Sequence, residues 1–194
     1  DFSLNNQLDF LYFGFKQGHN FWTFDFSTNT RFQFGIPSNL FSLIFKGNVA
    51  TREADMSGFA VNSTVYNQFA FGFSSQINKY SSIGLRLKVL TGIADISTKK
   101  SELLFITEEL DTGLTFKTDY YINANLPIDT VIINETNKNL EEFRLKEIES
   151  SDVPKLFLNT KNLGFAMDFG FEKEYSSELL VYGSVIDFVF IKWK

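Results

Sequence analysis

Asn20 to Gly35 reads NFWTFDFSTNTRFQFG. The even positions Trp22, Phe24, Phe26, Thr28, Thr30, Phe32 and Phe34 are aromatic or threonine, while the odd positions include Thr23, Asp25, Ser27, Asn29, Arg31 and Gln33. A period of two over so long a run predicts a β-strand with one apolar and one polar face. Alternation leaves open whether the apolar face meets a protein core or lipid, and that choice decides the fold.

The pattern recurs on both sides of this stretch. Leu8 to Lys16 leads through Gln17-Gly18-His19-Asn20 into it as a hairpin. Gly58 to Ser74 places Phe59, Val61, Val65, Phe69, Phe71 and Phe73 on one face, then turns within Gln76 to Ser82. Ile83 to Ser97 follows, and a hairpin from Glu102 to Asn123 is expected to turn at Asp111-Thr112-Gly113. Leu163 to Glu172 and Leu179 to Trp193 form the last pair, joined across Lys173 to Ser177. Two segments break the alternation. Ser38 reads as the N-cap of a short helix through Phe45, closed by Gly47. Asn139 to Ile148, inside a polar insertion from about Asn125 to Lys161, reads as a second helix. The expected fold is all-β: an antiparallel meander of about eight long strands in one domain, 1–194, with two short helices in loops.

Composition narrows the setting. The chain holds 24 Phe in 194 residues, yet its mean hydropathy is −0.07, so apolar and polar residues are interleaved. No run approaches the roughly 18 apolar residues of a membrane-spanning helix, so any crossing is made by strands. A net charge of −5, with no basic stripe to neutralise phosphates, excludes nucleic acid as a partner. The absence of cysteine excludes disulfide and thiolate chemistry.

Three features favour lipid over a soluble β-sandwich, whose strands also alternate. Several strands exceed the five or six residues usual in soluble sheets and match the roughly 9 to 11 of a tilted membrane strand. The polar faces carry Gly, Ala, Asn, Gln and Ser rather than the Lys and Glu of a solvated face. Short connections near His19, Lys79 and Tyr175 alternate with long ones, as in outer-membrane barrels. Trp22, Tyr80, Tyr175 and Trp193 near strand ends suit an interfacial girdle. On this reading Phe24, Phe26, Phe32 and Phe34 face acyl chains, and the sheet is an arc of, or a complete, outer-membrane β-barrel.

The blocks LDFLYFGF, IPSNLFSLIFKGN, VYNQFAFGFSSQIN, GLRLKVLTGIADISTKKS and VIDFVFIKWK, in that order, resemble a Bacteroidetes-type outer-membrane β-barrel family of unknown function. That family is similar to fatty-acid-transporter-like and type IX secretion-associated barrels. The resemblance implies the outer membrane of a Gram-negative cell envelope. Its members are longer, which implies an internal portion of a barrel; Asp1 to Asn6 lacks the basic and apolar regions of a signal peptide. The strands near Leu8 and Phe188 are then expected to be unpaired edges.

The residues offer little reaction chemistry. His19 is the single histidine and falls in a polar turn. Glu108, Glu109 and Asp111 lack the spacing of a calcium loop. Gly14, Gly72, Gly164 and Gly170 lie inside strands beside phenylalanines, a building role. No enzymatic activity, cofactor or metal is expected. The remaining candidates are lumen-lining ligand-binding residues: Asp25, Arg31, Gln68, Arg86, Lys88, Asp168 and Asp187. They either bridge one another or line a polar path for a solute, with Val181, Val185 and Val189 placed on the same inner side as Asp187. The expected role is transport or scaffold, with membrane lipid, other envelope proteins and a hydrophobic or small solute as partners. The alternative is a soluble β-rich adhesin or binding domain.

Overall fold

The computed structural model describes residues 1–50, 52–107, 113–126, 128–133, 140–145 and 157–193. The elements are β1 (Phe2–Gln17), β2 (Asn20–Gly35), α1 (Ser38–Ala50), β3 (Glu53–Asp55), β4 (Ala60–Asn78), β5 (Ser81–Thr107), β6 (Leu114–Asn125), β7 (Ile128–Ile133), β8 (Leu140–Leu145), β9 (Leu163–Ser176) and β10 (Leu179–Ile191). A 3₁₀ turn at Thr160–Asn162 precedes β9. The fold is all-β. Eight strands form one sheet in the order β1-β2-β4-β5-β9-β10, with β3 and β6 also paired to β5, while β7 and β8 make a separate hairpin. Among the described residues β1 and β10 are the two ends of that order and do not pair with each other, so the sheet does not close.

The long alternating stretch is β2, with the bounds its pattern predicts. Elsewhere the strands outrun their patterns: β1 begins at Phe2 rather than Leu8, and β4 continues to Asn78, so the next turn is Lys79-Tyr80. The expected break between Ser97 and Glu102 is absent. β5 is one strand of 27 residues, because Lys99 and Lys100 offer no turn chemistry and the extra residue at Lys99 is absorbed where the β5–β6 register steps between Thr98 and Lys100. Of the hairpin turn predicted after it, Asp111 and Thr112 lie outside the described residues.

The helix expected over Asn139 to Ile148 is a correction. Leu140–Leu145 is a strand paired antiparallel to Ile128–Ile133, and residues 146–148 lie outside the described set. IDTVII is rich in β-branched residues and supplies a partner that overrides the helix propensity of LEEFRL. The first helix holds. Its dihedral angles break at Gly47, with φ 76°, where the sequence expects closure, and the N–H of Leu40 donates to the carbonyl of Pro37. Among the described residues no helix is long and apolar enough to cross a membrane.

The chain divides into two compact units. Unit 1 comprises Asp1–Asn6, Thr30–Thr64 and Ala94–Leu126. In it β6 pairs with Asp95–Thr107 of β5, and β3 pairs with Leu104–Ile106. The Phe34 and Phe59 rings meet edge to face at 5.2 Å, and the Thr64 hydroxyl donates to the Asp95 carboxylate at 2.8 Å. Unit 2 comprises Gln7–Asn29, Val65–Ile93 and Pro127–Lys194. There β9 lies between β5 and β10, with Ser81–Thr91 opposite Lys173–Leu163. Among the described residues its buried apolar cluster is only Tyr66, Leu90 and Ala166, with Ile191 against them. Burial in unit 2 is instead mostly polar.

Candidate functional site

The buried polar residues of unit 2 come from the phase of each strand opposite to its large apolar residues. In β2, Asp25 and Ser27 are buried beside exposed Phe24; in β5, Arg86 and Lys88 alternate with exposed Leu85, Leu87 and Val89; in β9, Ala166 and Asp168 alternate with exposed Phe165, Met167 and Phe169. Asp25 is 2% exposed and Lys88 6%, against 51% for Leu87 and 56% for Phe165. A soluble sheet buries its apolar phase, so these strands are inverted.

Cross-strand pairing gathers the charges into two linked groups. Asp25 of β2 accepts from the Arg86 guanidinium of β5 and, at 3.4 Å, from the Gln68 amide of β4. One strand position further, Lys88 Nζ lies 2.8 Å from Asp168 Oδ2 of β9 and 2.6 Å from Asp187 Oδ1 of β10. Low-dielectric surroundings make such buried charges costly unless paired. Six of the seven residues singled out from sequence therefore share one polar face. Arg31 does not join them in unit 2: it belongs to unit 1, where its side chain is exposed.

Asp187 reaches Lys88 through a bulge. Val185 stands opposite Phe169 and Phe188 opposite Met167, so Ile186 and Asp187 together face the single residue Asp168. The extra residue inverts the phase of β10. Directly opposed residues share a face, so Val185 joins Phe169 on the apolar side and Val181 lies opposite Lys173, while Val189 lies opposite buried Ala166. The expectation that Val181 and Val185 accompany Asp187 is thus corrected, and only Val189 does.

A groove of about 280 Å³ opens on the polar face beside this network. Gly72, Gly84 and Gly170 form its floor, Phe21 and Ile186 contribute apolar walls, and Arg86 lies along it. A Cβ on Gly72 would collide with the Thr23 hydroxyl, whereas Cβ atoms on Gly84 or Gly170 would meet nothing closer than 3.7 Å.

Sequence reasoning missed a polar row that ends the apolar stripes. Thr28, Asn67 and Thr91 fall in phase with Phe26, Phe69 and Val89. The Thr28 hydroxyl donates to Asn67 at 2.6 Å, and Thr91 donates to the carbonyl of Phe157 at 2.8 Å. Asn159 donates to the Gly92 carbonyl at 2.9 Å. The signal was present as polar residues interrupting an apolar phase. Close to this row the Phe157 ring packs edge-on to Phe10 and Phe26.

Beyond Thr28 the inversion stops. In β2 from Arg31 to Phe34 the polar residues Arg31 and Gln33 are exposed, and Phe32 and Phe34 are half-buried. In β5 Lys99, Lys100 and Glu102 are exposed, while Leu103 to Ile106 are half-buried. Phe32 and Phe34 thus depart from the pattern of Phe24.

The chain matches, over residues 1–194, a family described as a family of unknown function (DUF5723). No curated protein and no solved structure matches it.

Proposed function

The chain belongs to this family along its whole length, and we propose that it is an outer-membrane β-barrel protein of a Gram-negative envelope, its strands forming an arc of barrel wall with a transport or scaffold role. One observation carries the proposal: the change of burial phase along single strands. Asp25 and Ser27 are buried beside exposed Phe24, yet a few residues later Arg31 and Gln33 are exposed beside half-buried Phe32 and Phe34. A chain bathed throughout in water has no reason to invert one part of a strand and not the next. A bilayer meeting the outer phase up to Thr28, Asn67 and Thr91, with water beyond, supplies that reason.

The band is of the right kind. Ile83, Leu85, Leu87 and Val89 stand opposite Phe171, Phe169, Met167 and Phe165, all exposed. Tyr80, in the turn before β5, and Tyr175, near the end of β9, are 59% and 62% exposed, where interfacial aromatics belong. The polar face then lines a path for a hydrophobic or small solute, or receives an envelope partner.

Detergent phase separation of the freshly extracted full chain tests the proposal. Recovery in the detergent phase is expected. Recovery in the aqueous phase without refolding would sink it and leave the second reading, a soluble β-rich adhesin or binding domain. That reading draws on Phe157, which covers part of the apolar phase at Phe10 and Phe26.

A further inference from the structure

We infer that Lys173, above the ring of Tyr175, binds the head-group phosphate of an acidic phospholipid at the border of the apolar face of unit 2. The inference rests on the membrane proposal and deepens it by naming the lipid that this face selects.

The apolar face is almost free of charge. Along β2, β4, β5, β9 and β10 within unit 2, Asp25, Arg86, Lys88, Asp168 and Asp187 belong to the polar face. So do Glu172, opposite Ser82 and Tyr182, and Glu174, opposite Leu180. Among the described residues of these strands Lys173 is the one exception. It follows Phe165, Met167, Phe169 and Phe171 in the apolar phase and stands opposite Ser81 and Val181, neither of them charged. Its side chain is exposed, and its ammonium lies 4.6 Å from the centroid of the Tyr175 ring. No carboxylate among the described residues forms an ion pair with it. Lys79 and Glu178, in the two adjoining turns, carry opposite charges and offset each other.

Position makes Lys173 a border residue. It is paired with Ser81 at one end of the β5–β9 ladder, and Thr91, in the polar row with Thr28 and Asn67, is paired with Leu163 at the other. The ten residue steps from Ser81 to Thr91 span about 33 Å at roughly 3.3 Å each. A strand tilted by about 40° projects that length to about 25 Å, the height of the apolar band of a membrane barrel. With the band filling this span, Lys173 stands where acyl chains give way to head groups. A lysine at that level lays its stem along apolar neighbours and keeps its ammonium in the polar layer, here above an aromatic face that attracts the cation. The anionic group available there is a phosphate. In a zwitterionic lipid the phosphate carries its own cation, whereas in an acidic phospholipid its charge is left for Lys173.

Native mass spectrometry of the full chain, extracted in detergent and offered equimolar phosphatidylglycerol and phosphatidylcholine with identical acyl chains, tests this. Retention of phosphatidylglycerol over phosphatidylcholine by about fivefold is expected, the factor that one lysine beside an anionic lipid surface supplies. Lys173→Gln is expected to bring the two lipids to parity and Lys173→Arg to keep the preference. Lys117→Gln, at an exposed position of β6 in unit 1, is expected to leave it unchanged. Excess glycerol phosphate is expected not to displace the lipid, because the apolar face holds its acyl chains. Equal retention of the two lipids, a preference that survives Lys173→Gln or is lost as readily in Lys117→Gln, or displacement by glycerol phosphate overturns the inference and leaves the membrane proposal standing. Recovery of the chain in the aqueous phase with neither lipid retained overturns both.

Discussion

The main-chain N–H of Asp187 donates to the carboxylate of Asp168 at 2.9 Å while Asp187 itself holds φ at 56°. This is the one left-handed non-glycine residue among those described, and a carboxylate on the neighbouring strand fixes it. The bulge it creates lets Phe188 and Phe190 face the same way as Met167 and Phe165, while Val189 follows Ala166. Without the extra residue β10 would turn one end of its apolar set to the wrong side.

Asp and Asn tolerate this conformation, whereas other L-residues lose roughly 1–2 kcal/mol in it and β-branched ones the most. Asp187→Asn is therefore expected to lower the urea-unfolding free energy by less than about 1 kcal/mol, since Lys88 keeps Asp168 and the carboxylate lost is half exposed. Asp187→Val is expected to cost about 2–3 kcal/mol by the same strain plus the lost contact. Equal midpoints for the two variants would remove the bulge from the account.

Asp25 is nearly inaccessible while its partner Arg86 is 35% exposed. Breaking a buried pair by removing one member costs about 3–5 kcal/mol, and the partial exposure of Arg86 moves the expectation to the lower end. Asp25→Asn is expected to destabilise by about 2–3 kcal/mol on that basis. Adding Arg86→Gln should recover much of the loss, because no charge is then stranded. A double-mutant cycle in denaturant reads the coupling, and additive losses would contradict a direct pair.

Gly164 and Gly84 look alike in sequence, each a strand glycine beside large apolar residues, but their surroundings differ. A Cβ on Gly164 would run into the carbonyl of Phe190 and lie 2.6 Å from Ile191 Cγ1, whereas on Gly84 its nearest neighbour is Ser74 Cβ at 3.7 Å. Gly164→Ala is expected to cost about 1–3 kcal/mol through overpacking against backbone, and Gly84→Ala to be neutral within about 0.5 kcal/mol. Thermal unfolding of the two variants side by side checks the register of β9 on β10.

The strands were legible wherever a local pattern sufficed. Asn20 to Gly35 announces β2 residue by residue, and Pro37, Ser38 and Gly47 frame the helix start and its break. What failed depended on partners far along the chain. Lys99 and Lys100 look like the end of a strand until β6 is seen to run alongside them, and LEEFRL looks helical until Ile128–Ile133 pairs with it. The charges of β2, β5 and β9, Asp25, Arg86, Lys88 and Asp168, were legible as a set because each falls in the polar phase of its strand. Their pairing was not, since Lys88 and Asp187 are joined by a bulge that shifts phase within one residue. The row Thr28, Asn67 and Thr91 lies on three different strands and acquires meaning only when they are seen to end the apolar stripes together.

Two exposed leucines test whether lipid meets the face of Leu87. Leu87, 51% exposed, lies on β5 within the inverted stretch, and Leu114, 62% exposed, begins β6 in unit 1. In water, an arginine at either position would have its head solvated, and both substitutions should fall within about 0.5 kcal/mol of neutral. In a bilayer an arginine on the lipid face of a strand costs roughly 2–4 kcal/mol near the midplane and little near the interface. Leu87 stands midway in the row Ile83 to Val89, close to where the midplane would fall, and its neighbour on β9, Met167, is also exposed and offers no carboxylate to pair with. Leu87→Arg is therefore expected to lower unfolding free energy in lipid vesicles by about 2–4 kcal/mol, while Leu114→Arg leaves it unchanged. The comparison controls for exposure and for the residue introduced. If both variants unfold with the wild-type midpoint, lipid does not meet the face that Leu87 shares with Phe169.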